Sequence, residues 1–163
     1  MRRRLRMSNA ALAPAPFLDL TAITRLFRAY AASLPIDLGY QGFDEELASL
    51  PGKYAPPHGA LLIARDAEGA ALGCVAMRPL EDSVCEMKRL YVAPEGRGAG
   101  LGRALAEAII EAARATGYRE MRLDTLASMA GAQALYRALG FVEIAPYYET
   151  PVESTVFMSL RLS

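Results

Sequence analysis

The chain has 163 residues, 53% of them hydrophobic, and a formal net charge of 0. That length supports a real core and suits one domain, 1–163, while the balanced charge excludes a general nucleic-acid binder, which needs a basic field. No apolar run approaches the ~18 residues of a bilayer span, so no membrane partner is expected.

The start, MRRRLRMSNAALAPAP, is arginine-rich and has no acidic residue and no apolar stretch long enough for secretion. It reads as a basic extension over 1–16 or as a leader to a true start at Met7, and a cytoplasmic location is expected. A weak strand is expected between Leu5 and Leu12. Asp19 or Thr21 then caps a helix to about Ser33, with Ile23, Leu26, Phe27 and Tyr30 on its apolar face and Leu34-Pro35 as its stop. Residues 35–58 are the least regular. Asp44 caps a short helix from Glu45 to Leu50 there, and Pro51-Gly52 ends it. Asp37, Tyr40, Gln41, Phe43, Asp44, Glu45 and Glu46 crowd this stretch, which is either a lid whose carboxylates attract a cationic amine or a solvated connector.

Strands follow at 59–65 and 71–78, joined by an Asp66–Gly69 hairpin turn, and a third runs from Val84 to Val92. The three form an antiparallel meander. Cys74 and Cys85 fall in neighbouring strands and read as buried reduced thiols, since two cysteines make no disulfide framework. The lone His58 has no second ligand nearby, so no metal is expected. Period two places Glu86, Lys88 and Leu90 on one strand face and Met87 with Arg89 on the other. Charges in a strand that should be apolar on both faces suggest that it borders a wet cleft.

Next come Arg97, Gly98, Ala99, Gly100, Leu101, Gly102 and Arg103, then a helix from about Gly100 to Thr116 that Gly117 stops. Leu101, Leu105, Ile109 and Ala112 form its inner face. Alternating glycines let backbone approach a ligand, and the first helical turn offers unpaired N–H groups under a positive dipole end. A phosphate fits there; the alternative is a plain strand-to-helix connector. A P-loop string GxxxxGK[ST] is absent, and GxGxxG fails from Gly96 and from Gly98. Met121–Thr125 is a buried strand, parallel to 84–92 because a helix connects them. Ser128 caps a helix over Met129–Leu139 with Gly140 as its stop. A strand at 142–145, a loop PYYETPVES and an alternating strand at 155–162 close the chain.

The string Arg97-Gly98-Ala99-Gly100-Leu101-Gly102 matches the [QR]xxGx[GA] signature of the GCN5-related N-acetyltransferases (GNAT). KRLYVAPEGRGAGLGRAL resembles that family's acetyl-CoA segment, and ALYRALGF its second motif; the likeness spans roughly residues 60–162. It implies an α/β (α+β) acyl-CoA N-acyltransferase fold. In that fold a mixed, mostly antiparallel central sheet carries helices on both faces and opens in a V-shaped splay between 84–92 and 121–125. It also implies acetyl-CoA as acyl donor and an amine acceptor, either a small molecule or a peptide, attacked directly in a ternary complex. Homodimers are common in the family, and nothing in the sequence specifies the oligomeric state.

By motif position, Leu90, Tyr91 and Val92 would pair with the pantetheine arm. The Leu90 N–H would polarise the acetyl carbonyl, and N–H groups from Gly98 to Arg103 would hold the pyrophosphate. Glu86 stands where some members place a general base; otherwise it is a salt-bridged strand residue. Tyr136, in Leu135-Tyr136-Arg137-Ala138-Leu139-Gly140-Phe141, matches the tyrosine that protonates the departing sulfur, or else is a core aromatic against Phe141. The family often has an asparagine where this chain has Met129, so Ser128 or backbone groups would supply that contact to the arm. Glu149 or Glu153, beside Tyr147 and Tyr148, could hold a cationic acceptor. The competing reading is a non-catalytic acyl-CoA-sensing or partner-binding module on the same fold.

Overall fold

The structure is a computed structural model that describes residues 12–14 and 19–163. Its strands are β1 (Leu12–Pro14), β2 (Ala60–Arg65), β3 (Ala71–Glu81), β4 (Val84–Val92), β5 (Glu120–Leu126), β6 (Val142–Ile144) and β7 (Thr155–Arg161). Its α-helices are α1 (Leu20–Ser33), α2 (Phe43–Ser49), α3 (Leu101–Thr116) and α4 (Ala130–Ala138). The strands form one sheet in the order β1-β2-β3-β4-β5-β7-β6. Every neighbouring pair is antiparallel except β4–β5, which α3 connects. The antiparallel meander and the parallel step thus stand as the pattern predicts.

Apolar alternation along β2 and β3 explains the layers. Leu62, Val75 and Met77 face one side, where Leu105, Ile109 and Ala113 of α3 and Tyr136 of α4 cover them. Leu61, Ile63, Cys74 and Ala76 face the other, where Ile23, Leu26 and Phe27 of α1 and Phe43 of α2 cover them. Strands covered on both faces carry near-continuous apolar runs. At Gly73 the helix and sheet come closest: an added Cβ would lie 2.9 Å from the Tyr91 carbonyl oxygen and 3.0 Å from Leu105 Cδ1. A glycine is needed there for space, since its φ is not positive.

Several boundaries differ from the sequence reading, and capping chemistry explains most of them. Asp19 does precede α1, but its carboxylate pairs with Arg65 of β2 and bonds no N–H of the helix. Gly42, at φ 70°, precedes α2, so Asp44 lies inside the first turn, where its charge suits the positive end of the dipole. Ser128 is not a cap: α4 starts at Ala130 behind Met129, and Ser128 is exposed in the preceding turn. β3 continues through Pro79 to Glu81, three residues past its expected end. The first strand is described only at Leu12–Pro14; the rest of the expected Leu5–Leu12 strand lies outside the described residues. No helix among the described residues is long and apolar enough to cross a membrane.

Substituting Gly73→Ala should destabilise the protein by about 1–3 kcal/mol, because overpacking between α3 and the β3–β4 pair cannot relax through a flexible side chain. Urea unfolding with an unchanged m-value would establish this; a loss below about 0.5 kcal/mol would mean the helix moves freely away from the sheet.

Candidate active site

The parallel pair β4–β5 holds for only three registers: Val84 with Glu120, Cys85 with Met121 and Glu86 with Arg122. Beyond Glu86 the strands part. The gap forms a cavity of about 60 Å³ between Lys88 and Leu90 on one wall and Leu123 and Asp124 on the other, with Tyr136 and Met129 closing it. That is room for a few waters or a two-carbon acyl group.

A β-bulge sets the geometry. Lys88 pairs with Ala76 and Tyr91 with Cys74, so Arg89 and Leu90 together oppose Val75. Arg89 sits at φ 61°, a left-handed conformation that is rare for a residue with a long side chain. The extra residue shifts the alternation by one. Glu86 and Leu90, placed on one face by simple period two, therefore point to opposite faces. Leu90 packs with Met87 on the α3 side, and Tyr91 packs with Cys74 and Ala76 on the α1 side. Arg89 leaves Met87 and joins Lys88; both donate to Gln41 Oε1, at 2.9 and 3.1 Å.

The charges of β4 are buried and partnered, and Lys88 and Arg89 also line the cavity, as the charged strand suggested. Glu86 is 1% exposed. Arg78 Nε donates to its Oε1 at 2.8 Å, and the Tyr147 hydroxyl donates to its Oε2. Lys88 Nζ stands 4.0 Å from Glu86 Oε1 and 4.0 Å from Asp124 Oδ1. Burial pushes the Lys88 ammonium below the usual lysine range, while the two carboxylates oppose that shift. Asp124 also accepts from the Tyr148 hydroxyl and, at 3.4 Å, from Gln41 Nε2. Burial raises the Tyr30 hydroxyl beside it to about 12, and Arg89 opposes that rise.

Through its guanidinium Arg89 makes three hydrogen bonds in the site, one of them the bond to Gln41. Its Nε and Nη2 donate to the two oxygens of Glu46, each at 3.0 Å. Its guanidinium lies 5.8 Å from the Tyr30 ring centroid and 5.2 Å from that of Phe43. The Tyr54 hydroxyl adds a 2.9 Å bond to Glu46 Oε1. Gln41, Phe43 and Glu46, three of the residues in the irregular 35–58 stretch, are thus engaged with the bulge. Asp37 accepts from the Gly39 N–H, and Asp44 and Glu45 are exposed. Sequence reasoning assigned no role to Arg89, Lys88 or Asp124. The available signal was the Lys-Arg pair inside an apolar strand, because buried charges need partners from elsewhere in the chain.

The glycine turn stands at the end of β4. Gly98 and Gly100 have φ of 86° and 74°, and a Cβ at either would meet nothing within 4 Å. Gly100 is the residue preceding α3 and brings no side chain to cap it, so the turn is open to a ligand at its N–H groups. Gly96 is different: an added Cβ would lie 3.2 Å from Leu72 and from Val92, so it seats the turn on the sheet. Arg97 Nε donates to the Val92 carbonyl at 3.1 Å, and Arg103 Nε to Glu107 Oε1 at 2.8 Å on the exposed side of α3. Tyr136 is buried, its ring centroid 5.8 Å from that of Phe141, and it also lines the cavity. Tyr136 thus both packs in the core and borders the cavity. Burial raises its hydroxyl above the usual tyrosine range. Ser128 is not among the cavity residues; Met129 is, with Thr125 Oγ1 3.8 Å from its sulfur.

The model of the acetyltransferase (GNAT) family matches residues 23–141. The chain belongs to the GNAT family. It is an N-acetyltransferase, as the named relatives agree. An uncharacterised N-acetyltransferase of Schizosaccharomyces pombe is 45% identical over 146 residues, covering 89% of this chain and 90% of its own. An uncharacterised N-acetyltransferase of Escherichia coli is 36% identical, covering 77% and 78%. A GNAT-family acetyltransferase from Staphylococcus aureus superposes with a TM-score of 0.78 at 17% identity, over 93% of this chain and 98% of that one. A phosphinothricin acetyltransferase from Sinorhizobium meliloti, solved with acetyl-CoA, superposes at 0.68 and 23% identity, over 92% and 86%. The open glycine turn and the unpaired stretch of β4 in this GNAT protein fit such a donor. Among the described residues there is no cluster of three or more His, Cys, Asp or Glu that could hold a metal ion.

Replacing Glu46 by Gln should cost about 3–5 kcal/mol, since it leaves the Arg89 charge buried without its counter-ion. Adding Arg89→Met should recover much of that loss. A double-mutant cycle in urea with a coupling below about 0.5 kcal/mol would show that the pair does not act as a unit.

Proposed function

We propose that this GNAT protein transfers the acetyl group of acetyl-CoA to a primary amine by direct attack within a ternary complex. The observation that carries this reading is the sheet that stops pairing after Glu86 and Arg122, opening a cavity beside the glycine turn. Acetyl transfer needs an anchored donor, a polarised carbonyl, a proton acceptor for the amine and a proton donor for sulfur.

The N–H groups from Gly98 to Arg103, including those of Ala99, Leu101 and Gly102, bind the pyrophosphate at the positive end of α3. Arg97 and Arg103 can add charge-assisted bonds by leaving Val92 and Glu107. Leu90, Tyr91 and Val92 present a strand edge to the pantetheine arm, and the Leu90 N–H meets the carbonyl oxygen. Met129 gives that arm an apolar wall where other members offer an amide, and Ser128 lies farther out on the exposed turn. Tyr136 holds the proton for the departing sulfur from the α4 side. Glu86 is not free to take the amine proton directly, because Arg78 and Tyr147 already occupy its oxygens. Cys74 and Cys85 are not nucleophiles: burial pushes each thiol up to about 12, far from the thiolate form at neutral pH. The acceptor is a small-molecule or peptide amine that enters from the side of the 145–154 loop, where Glu149 and Glu153 are exposed.

Acetyl-CoA at about 100 times its dissociation constant should stabilise the protein by roughly 2.7 kcal/mol, seen as a raised Tm. ATP and NAD at the same concentration should not. No rise with coenzyme A thioesters would leave the glycine turn a structural connector.

Tyr136→Phe should lower kcat by about 100-fold or more while the acetyl-CoA-dependent rise in Tm persists. Undiminished turnover in that variant would reduce Tyr136 to a core aromatic.

A further inference from the structure

We propose, on the acetyl-transfer reading above, that Asp124 is the group that takes the proton from the attacking amine, with Lys88 and Glu86 positioning it. Asp124 lies two residues past Arg122, the last residue of β5 paired with β4. Had the ladder continued, Asp124 would face Lys88. The strands instead diverge, and the two side chains reach toward each other across the mouth of the gap, 4.0 Å apart.

Three observations separate Asp124 from Glu86. Asp124 lines the cavity and Glu86 does not. The Asp124 side chain is 13% exposed against 1% for Glu86, so an incoming ammonium can reach it. Finally, Glu86 has a donor on each oxygen, whereas the bonds of Asp124 from Tyr148 and Gln41 fall on Oδ2. Among the described residues no hydrogen bond falls on its Oδ1, and Lys88 Nζ stands 4.0 Å from it.

Placement supports the division of labour. Lys88, Gln41 and Tyr148 hold Asp124 on the α1 and α2 side of the sheet, while Tyr136 approaches the same cavity from α4 on the other side. A thioester in the gap would therefore have a carboxylate on one side and a hydroxyl on the other. The groups that face Asp124 are Lys88 from β4, Gln41 from the 35–58 stretch, Tyr147 and Tyr148 from the 145–154 loop, Tyr30 from α1 and Tyr136 from α4, with Glu86 and Arg89 behind.

The protons balance. The ammonium of the acceptor gives one proton to Asp124 and becomes a neutral amine. Its nitrogen bonds the carbonyl carbon, the C–S bond breaks, and its electron pair leaves on sulfur, which takes the Tyr136 proton. The second nitrogen proton restores Tyr136, and Asp124 releases its own to water. The products are an amide, a free thiol and one proton.

The test uses thiol release from acetyl-CoA with propylamine as the acceptor. Asp124→Asn should lower kcat/KM about 100-fold or more and abolish the acid limb of its pH profile, with the acetyl-CoA-dependent rise in Tm retained. Asp124→Glu keeps the charge that Lys88 sees and should lower kcat about tenfold with the acid limb still present, which covers the case of an unfolded Asn variant. An acid limb that persists in Asp124→Asn but vanishes in Glu86→Gln would overturn the assignment in favour of Glu86. So would a rate for Asp124→Asn within about threefold of the parent. A parent protein that binds acetyl-CoA yet does not speed thiol release with propylamine also overturns it. Failure to bind acetyl-CoA at all would sink the wider reading of the cavity, and the Tm measurement tells the two failures apart.

Discussion

One extra residue in β4 governs the site. With Arg89 and Leu90 both opposing Val75, the strand twists away from β5 after Glu86, and the sheet opens where it would otherwise continue. A bulge of this kind puts a long side chain at positive φ and must be held by something outside the strand. Here the holder is Glu46, which receives two bonds from the Arg89 guanidinium, with Gln41 receiving a third. The irregular stretch between α1 and β2 is therefore not a passive connector. It is the partner that a buried arginine requires.

Around that bond the site is electrically balanced. Arg78, Lys88 and Arg89 carry positive charge, and Glu46, Glu86 and Asp124 carry negative charge, all within one connected network. Buried ion pairs are weak stabilisers, since desolvation offsets most of the attraction, but each is costly to break. The network is better understood as a device that specifies where β4 and β5 separate and which carboxylate remains reachable. Tyr147 and Tyr148, each edge-on to Phe157, extend it into the 145–154 loop.

Much of the architecture was legible in the residues. Alternating apolar positions in 59–65 and 71–78 and the spacing of Leu101, Leu105 and Ile109 located strands and helix within a few residues. The glycines at 98 and 100 marked the turn because their φ values are ones that other residues rarely adopt. The caps were less legible. Asp19 spends its carboxylate on Arg65 and Ser128 faces solvent, and a local propensity cannot register a competing partner many residues away.

The sequence by itself determined the family, the order of the elements, the glycine turn at the head of α3 and the position of Tyr136, because each rests on local spacing. Only the tertiary structure decided which charged residues meet. Simple alternation placed Glu86 with Leu90, and the bulge separates them; Asp124 passed as part of a short buried strand, and the splay leaves it at the cavity. The reason is physical. A one-residue bulge inverts the facing of every later side chain, and nothing in the local run of residues signals it, since what makes it tolerable is Glu46, forty-three residues away along the chain.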